Sequence, residues 1–579
     1  MTVVHVHELI EAVAAATPDR PAIVAGGVTM TYGELDAEAN RLACHLIDLG
    51  VGEGAAVGVF MERSAENLVA QLAAFKAGAC VVLMDPAYPA QRLAFMLADS
   101  AAAAVVTRPG PAAALPAGVK VVLSGQWAAA PARKPDRRPA DNGTSHIAYT
   151  SGSTGVPKAV LLRHEPFRNT VRVLIEQCGI TPDSRGTWLC SPGFGLVEVD
   201  CFPVLAAGAT LHIPPAAVTG SAEELRDWLV AERITHTLQL TAMAERLWQL
   251  DWPKDGHLRS MRVAGERVRN WPPPGLPYQV LNVYGSAEAN VVATCDLTAT
   301  AAALGEEERA ARRPPIGTPV PGVRVYVLDE NLAPVPTGEV GELYISGRSL
   351  SAGYLNRPDA ERDRFLANPM PGDPHPVLYR SGDQARVWPD GLIEIVGRAD
   401  DEVKVRGYRV RLGEIESVLA QQPGVRQCAV VLRDDALAAY VEPRPGATIV
   451  PAELRRSLAA RLPQYMLPAA YVVGPLPTTP NGKIDRAALP APGEAADAFV
   501  APRTETEKQV AELWATLLRL PEVGVRTEFL ALGGDSVTAM RVLDGVKDLF
   551  GVELGMADLF EAGTVEELAA LIEERGNDR

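Results

Sequence analysis

Cysteine is scarce and scattered. Seven thiols occur in 579 residues, none in a C-x-x-C pair. That excludes a disulfide scaffold and a zinc ribbon, and fits reduced, buried thiols in a cytoplasmic protein. The nine histidines include no H-x-x-x-H spacing, so no helical metal-ligand pair is written in the chain. Positive charge is also short. Lys and Arg number 55 against 71 Asp and Glu, a net charge of −16, which argues against a nucleic-acid partner. No apolar run is long enough to span a bilayer. The N-terminal stretch has no basic region followed by an apolar core, so no secretory signal is read there. What remains is globular: 47% of residues are hydrophobic and 22% charged, over a length that accommodates several domains.

The chain is organised around Tyr149-Thr-Ser-Gly-Ser-Thr-Gly-Val-Pro-Lys158. Thr150, Ser151, Gly152, Ser153, Thr154 and Gly155 are too small and polar to build a core, so they form a loop. Ile147 to Tyr149 read as the end of a strand feeding it. The glycines let backbone N–H groups face an anion. The hydroxyls add donors, and Lys158 adds a positive charge. This is the chemistry of a polyphosphate cradle. It is not a Walker A loop, because the glycines stand too close together and no Gly-Lys-Ser/Thr follows. Taken alone, the same composition also describes a flexible Ser/Gly linker.

Before the loop, Thr31-Tyr-Gly-Glu-Leu35 reads as a turn and helix start. Short apolar strands at Val57–Met61, Cys80–Met84, Ala103–Thr107 and Val119–Leu123 then alternate with helical patterns. Such alternation predicts an α/β domain with largely parallel sheets. After the loop come strands at Thr235–Leu240, Met261–Ala264 and Gln279–Tyr284. The last ends in Asn282-Val-Tyr-Gly-Ser-Ala-Glu288, a Gly-bounded exit bearing an amide, an aromatic ring and a carboxylate. Ligands of open α/β sheets bind at such strand ends.

From about residue 315 the texture turns to β, with strands at Val323–Leu328 and Glu342–Ser346 and a hairpin across Pro389-Asp-Gly391. Tyr379-Arg-Ser-Gly-Asp383 is expected to place a carboxylate at a tight turn. The polar run from Gly397 to Val410 reads as a domain joint, followed by a small α/β unit closing on Pro480-Asn-Gly-Lys-Ile-Asp485. A Pro/Ala/Gly linker precedes an all-helical piece. There Leu532-Gly-Gly-Asp-Ser536 leads into a helix with Val537, Met540, Leu543 and Val546 on its apolar face.

In this order the motifs resemble an adenylation domain of a nonribosomal peptide synthetase, within the adenylate-forming superfamily, followed by a peptidyl carrier (thiolation) domain. The resemblance covers nearly the whole chain. It implies a multidomain α/β fold: a core of α/β sheets with a small β-rich subdomain over 1–399, and a mobile α/β subdomain over 400–488. A linker over 489–502 and a four-helix carrier domain over 503–579 follow. The implied reaction uses ATP and Mg²⁺ to convert a small carboxylic acid to acyl-AMP, then passes the acyl group to a 4′-phosphopantetheine thiol. By this resemblance, residues 150–155 and Lys158 hold phosphates, Tyr284 stacks on the adenine beside Asn282, and Glu288 binds Mg²⁺. Asp383 and Arg398 serve the ribose, and Lys483 contacts the substrate carboxylate during adenylation. Asp400 is the hinge, and Ser536 carries the phosphopantetheine. Without the resemblance, Lys483 reads as solvated surface and Ser536 as a plain N-cap. The implied partners are a phosphopantetheinyl transferase and a downstream condensation, ketosynthase or tailoring enzyme, with an activator of the MbtH type left open. No nucleic acid or membrane is implied. With no further module motif on either side, the resemblance is to a loading or stand-alone protein.

The resemblance puts the acid pocket at Phe194, Gly195, Leu196, Val199, Leu238, Arg262, Ala264, Val283, Val291 and Val292. Amino-acid-activating relatives have aspartate where this chain has Gly195, and it pairs with the α-ammonium. A buried ammonium without a partner is costly. The expected acid is therefore apolar and lacks a normally placed α-amino group: β-amino, aryl, α-hydroxy or α-keto. Glu198 and Asp200 are nearby carboxylates that could meet a displaced amine. Arg262 is expected to point outward; pointing inward, it would suggest a second acidic group on the substrate. Ala159 and Ala287 also depart from the family pattern, which usually has glycine and threonine there. These departures keep open a second reading, a weakly active scaffold whose carrier is loaded by another enzyme.

Overall fold

The structure is a computed structural model that describes residues 4–577, apart from 138, 141–142, 151–156, 399–401, 406, 434–435, 478–483, 485, 492–499, 519, 521, 528, 530–531, 533 and 535. The chain forms two bodies, the larger holding nearly everything before Gly407 and the smaller nearly everything from Tyr408 onward.

In the larger body, Thr31 opens the helix Tyr32–Asp48 with a reciprocal cap. Its hydroxyl accepts from Glu34 N at 3.2 Å, and the Glu34 carboxylate accepts from Thr31 N at 2.8 Å. A six-stranded sheet follows, in the order Val121–Leu123, Ala104–Thr107, Ala56–Phe60, Cys80–Met84, Thr144–Thr150, Lys158–Arg163. All neighbours are parallel except the last pair. The inner strands Ala56–Phe60 and Cys80–Met84 are buried at every position, which is why they read as unbroken apolar runs. In the antiparallel pair Thr150 stands opposite Lys158, so the loop motif joins two paired strand ends.

A nine-stranded sheet contains His236–Leu240, Ser260–Ala264, Gln279–Ser286 and Asn290–Asp296 as successive neighbours. The first three are mutually parallel and the fourth returns antiparallel. The strand expected to end at Tyr284 therefore continues to Ser286 and turns back through Asn290, whose φ is +49°. Parallel register aligns Leu238, Arg262 and Leu281. By the two-residue period of a strand, Ala264 and Val283 share their face.

A five-stranded antiparallel sheet corrects one expectation. Tyr379 to Asp383 is no tight turn; it lies inside the strand Val377–Val387. Tyr344 pairs with Arg380 and Glu342 with Gln384, so Ser381, Gly382 and Asp383 together face Leu343 alone. Gly382 has φ +80°, the backbone freedom such a bulge requires. The turn signal in the sequence was a bulge signal.

The smaller body contains a three-stranded sheet, Val425–Arg433, Ala436–Pro443 and Ala470–Val473, with helices Leu412–Ala420 and Pro451–Ala459. It continues into helices Glu505–Leu518, Ser536–Phe550, Met556–Ala562 and Val565–Asn577. Trp514, Phe529, Val542, Val546, Leu559, Leu568 and Ile572 are buried among these helices. No helix among the described residues is long and apolar enough to cross a membrane.

Candidate active site

The bulge presents Asp383 to two partners. Its Oδ2 accepts from the Tyr284 hydroxyl, and its Oδ1 accepts from Arg398 Nη1 at 2.7 Å. Arg398 stands opposite Asp383 on the neighbouring strand Ile393–Arg398 and also reaches the buried carboxylate of Glu402. Ser381 fixes the bulge by donating to Leu343 O at 2.7 Å and accepting from Asp383 N at 3.0 Å. Burial, and then the Asp383 carboxylate, push the Tyr284 phenol well above its ordinary range. It is therefore a permanent donor. Two residues earlier, Asn282 donates to Pro315 O at 2.8 Å, which anchors the strand beside the cluster.

A second cluster centres on Glu288, which is 1% exposed. Its Oε1 accepts from the Tyr354 hydroxyl at 2.8 Å, and its carbonyl accepts from Ser351 N at 2.8 Å. Lys158, also buried, sets its ammonium 4.4 Å from the centroid of the Tyr354 ring. Tyr354 thus touches both the lysine that ends the loop motif and the expected Mg²⁺ carboxylate. Sequence reading missed it. Nothing local marks a tyrosine in a polar turn as the meeting point of residues 158 and 288.

The residues expected at the acid pocket are mostly buried. The segment before Gly195 is pinned by Ser191 Oγ donating to Asp85 and by Tyr88 Oη donating to Gly193 O at 3.3 Å. Val199, Leu238, Ala264, Val283, Val291 and Val292 are all buried in one apolar cluster, with Leu196 packed against it and Phe194 half-buried. A Cβ at Gly195 would lie 3.7 Å from Ala148 and 3.9 Å from Leu162, ordinary contacts, so sterics do not demand glycine there.

Arg262 does not point outward. It is fully buried, and its guanidinium donates to Val199 O and, at 3.3 Å, to Asp200 O. Asp200 Oδ2 accepts from Leu189 N at 2.7 Å and Cys190 N at 2.9 Å. Burial raises the Asp200 carboxyl, with Arg262 opposing. Glu198 turns to His146 at 2.7 Å. Each charge around the four-residue helix Val197–Asp200 thus makes at least one hydrogen bond that holds it, while Glu198 Oε2 and Asp200 Oδ1 have no hydrogen-bond partner. Ser151 to Gly155, Lys483 and Asp400, like the side chain of Ser536, lie outside the described residues; the Ser536 backbone opens the helix Ser536–Phe550.

Residues 10–355 match the AMP-binding enzyme family. The chain belongs to that family. Residues 414–483 match the AMP-binding enzyme C-terminal domain, and residues 508–572 match the phosphopantetheine attachment site. Two proteins of the linear gramicidin synthase of Brevibacillus parabrevis are among the relatives of this AMP-binding enzyme. It is 39% identical to one over 98% of its own length and 41% identical to the other over 97%. It spans only 11% and 7% of those two proteins. Its fold resembles holo-PA1221, an NRPS protein containing adenylation and PCP domains, with TM-score 0.77 and 25% identity, covering 99% of this chain and 97% of that one. It is accordingly an adenylate-forming ligase, an adenylation domain joined to a carrier domain.

The residues fit the groups such a ligase uses. No cluster of three or more His, Cys, Asp or Glu side chains among the described residues is placed to hold a metal. Mg²⁺ commonly takes one or two carboxylates and completes its shell with phosphate oxygens and water, a role the single buried Glu288 suits. Ser536 opens a 15-residue helix, whose N–H groups and dipole favour a phosphodiester.

Proposed function

We propose that this AMP-binding enzyme activates an apolar carboxylic acid as its adenylate and transfers the acyl group to phosphopantetheine on its own Ser536. The observation that carries the reading is the convergence of Lys158 and Glu288 on Tyr354 within the body that also holds Asp383 between Tyr284 and Arg398. In the first half-reaction an oxygen of the acid attacks the α-phosphorus of ATP, the bond to the β-phosphate breaks, and pyrophosphate leaves. Residues 150–155 and Lys158 hold the leaving phosphates. Glu288 would hold Mg²⁺, which supplies charge neutralisation on the phosphates. Asp383 and Arg398 orient the ribose, Tyr284 and Asn282 border the adenine, and Lys483 meets the acid's carboxylate. Catalysis here is positioning and electrostatic stabilisation. In the second half-reaction the thiol displaces AMP, after a rotation about Asp400 between segments 1–399 and 400–488. Ser536 lies in the carrier segment 503–579, beyond a linker over 489–502.

The acid is proposed to lack a normally placed α-amino group. Gly195 offers no carboxylate although a Cβ would fit; Glu198 commits one oxygen to His146 and Asp200 one to backbone amides, while the other oxygen of each is buried without a hydrogen-bond partner. The test is ATP–pyrophosphate exchange with two panels: α-amino acids, and aryl, β-amino, α-hydroxy and α-keto acids. Exchange confined to the second panel is expected. Strong exchange with an ordinary α-amino acid would overturn the substrate reading. A Ser536→Ala variant should keep exchange and lose acyl loading of the carrier. A phosphopantetheinyl transferase is the partner required for that loading.

A further inference from the structure

Glu198 is buried in the core at 1% exposure, where a carboxylate is expensive. Its Oε1 lies 2.7 Å from His146 Nδ1 and 3.3 Å from Ser145 Oγ. His146 is fully buried within a nest of rings, 5.2 Å from Phe75, 5.2 Å from Phe167 and 6.2 Å from Phe202 between centroids. Its other nitrogen, Nε2, faces Gln71 Oε1 at 3.3 Å. Gln71 Nε2 donates to Asn67 Oδ1 at 2.7 Å, and Asn67 Nδ2 donates to Met61 O at 2.8 Å. A backbone carbonyl only accepts, so the polarity of this relay is set from its far end. Asn67 must present its oxygen to Gln71, and Gln71 its oxygen to His146. The ring therefore donates from Nε2, and Nδ1 faces Glu198 Oε1.

The relay joins three elements: the helix Ala65–Lys76, the strand Thr144–Thr150 that ends at the phosphate loop, and the helix Val197–Asp200. Val199, on that last helix, lines the proposed acid pocket, and Leu196 immediately precedes it. We infer that Glu198 and His146 are a positioning pair for the acid pocket: they fix the short pocket helix against the strand that delivers the phosphate loop. The inference rests on the pocket reading above. Buried polar pairs seldom add stability over well-packed apolar groups, but their hydrogen bonds are directional. A helix of four residues has too few hydrogen bonds of its own to hold a register, and Glu198 supplies one fixed to the core.

The test uses the full chain and the variants Glu198→Met, His146→Phe and the double variant. With a productive acid, each single variant should raise the acid KM about tenfold and erode selectivity against the homologue one methylene longer, a discrimination of order 10–200-fold in a tight pocket. The ATP KM should stay within about twofold. The double variant, apolar on both sides, should recover the melting midpoint but not the selectivity. A lowered midpoint with unchanged acid KM and selectivity would overturn the proposal. Amide hydrogen exchange gives a readout independent of catalysis. Segment 196–200 should exchange faster in the single variants, and unchanged protection there would overturn the proposal. Faster exchange in a protein inactive toward every acid would support the lock and sink the pocket reading.

Discussion

Tyr284 and Asp383 lie 99 positions apart in the chain and share a hydrogen bond, phenol to carboxylate, in the larger body. The carboxylate reaches the ring because a bulge at Gly382 turns Ser381 to Asp383 out of register, and the ring is in place because its strand runs past the expected exit to Ser286. Arg398 closes the arrangement from the neighbouring strand. A carboxylate so held is oriented before any ligand arrives. Hydrogen bonds to charged groups contribute about 1.5–3 kcal/mol, so Asp383→Ala should lower kcat/KM for ATP by roughly 10- to 100-fold in pyrophosphate exchange. Tyr284→Phe, which removes only the donor, should cost less and leave the acid KM unchanged. Equal losses in the two variants would show that the hydroxyl, not the carboxylate, is the working group.

Tyr354 is the partner shared by Lys158 and Glu288. Tyr354→Phe keeps the ring under the ammonium and deletes the donor to the carboxylate. A hydrogen bond to a charged group contributes about 1.5–3 kcal/mol. The expected result is a higher Mg²⁺ requirement for exchange, measured by titrating Mg²⁺ at fixed ATP, with the pyrophosphate KM little changed. Tyr354→Leu should raise both. A Mg²⁺ titration identical to wild type for Tyr354→Phe would remove Tyr354 from the site.

Gly195 has room for a Cβ that it does not carry. Gly195→Asp should fold, because its Cβ meets Ala148 and Leu162 at ordinary contact distance. The new carboxylate would sit among apolar neighbours and favour a cation beside it. Exchange with α-amino acids should rise and exchange with the preferred acid should fall, by about tenfold or more. Unaltered panels would show that position 195 does not face the acid.

The buried histidines make stability depend on pH. Burial, with help from His5 and His146, holds the His164 ring down to about 2, and burial also pulls His7 well below its usual value. In the unfolded chain both titrate near 6.5. Below that value the unfolded state binds protons that the native state refuses. The stabilising contribution is therefore complete above about 6.5 and is lost as pH falls toward the native value, at about 1.4 kcal/mol per pH unit for each such ring. His164→Phe should shrink the drop in denaturation midpoint between about pH 7 and pH 5. An undiminished drop would place the proton uptake elsewhere.

Much was legible without coordinates. The alternation of apolar strands with helices, the β texture after residue 315 and the final helices are local patterns. Composition and periodicity report them because a strand or helix face must match its own surroundings. The order of motifs was enough to suggest the family. The strand Cys80–Met84 and the helix Glu505–Leu518 lie where the pattern put them.

What the chain alone left open are the pairings between distant residues. Arg262 read as pointing outward from the acid pocket. Tertiary packing instead buried it on the carbonyls of Val199 and Asp200. Glu198 and Asp200 read as nearby carboxylates that could meet a displaced amine; in the structure one oxygen of each is taken, by His146 or by two backbone amides, and the other has no hydrogen-bond partner. Tyr354 carried no local mark. Local pattern decides which residues are buried and which element they join. Register, bulges and the docking of one element on another decide which atoms meet, and those depend on the whole chain at once.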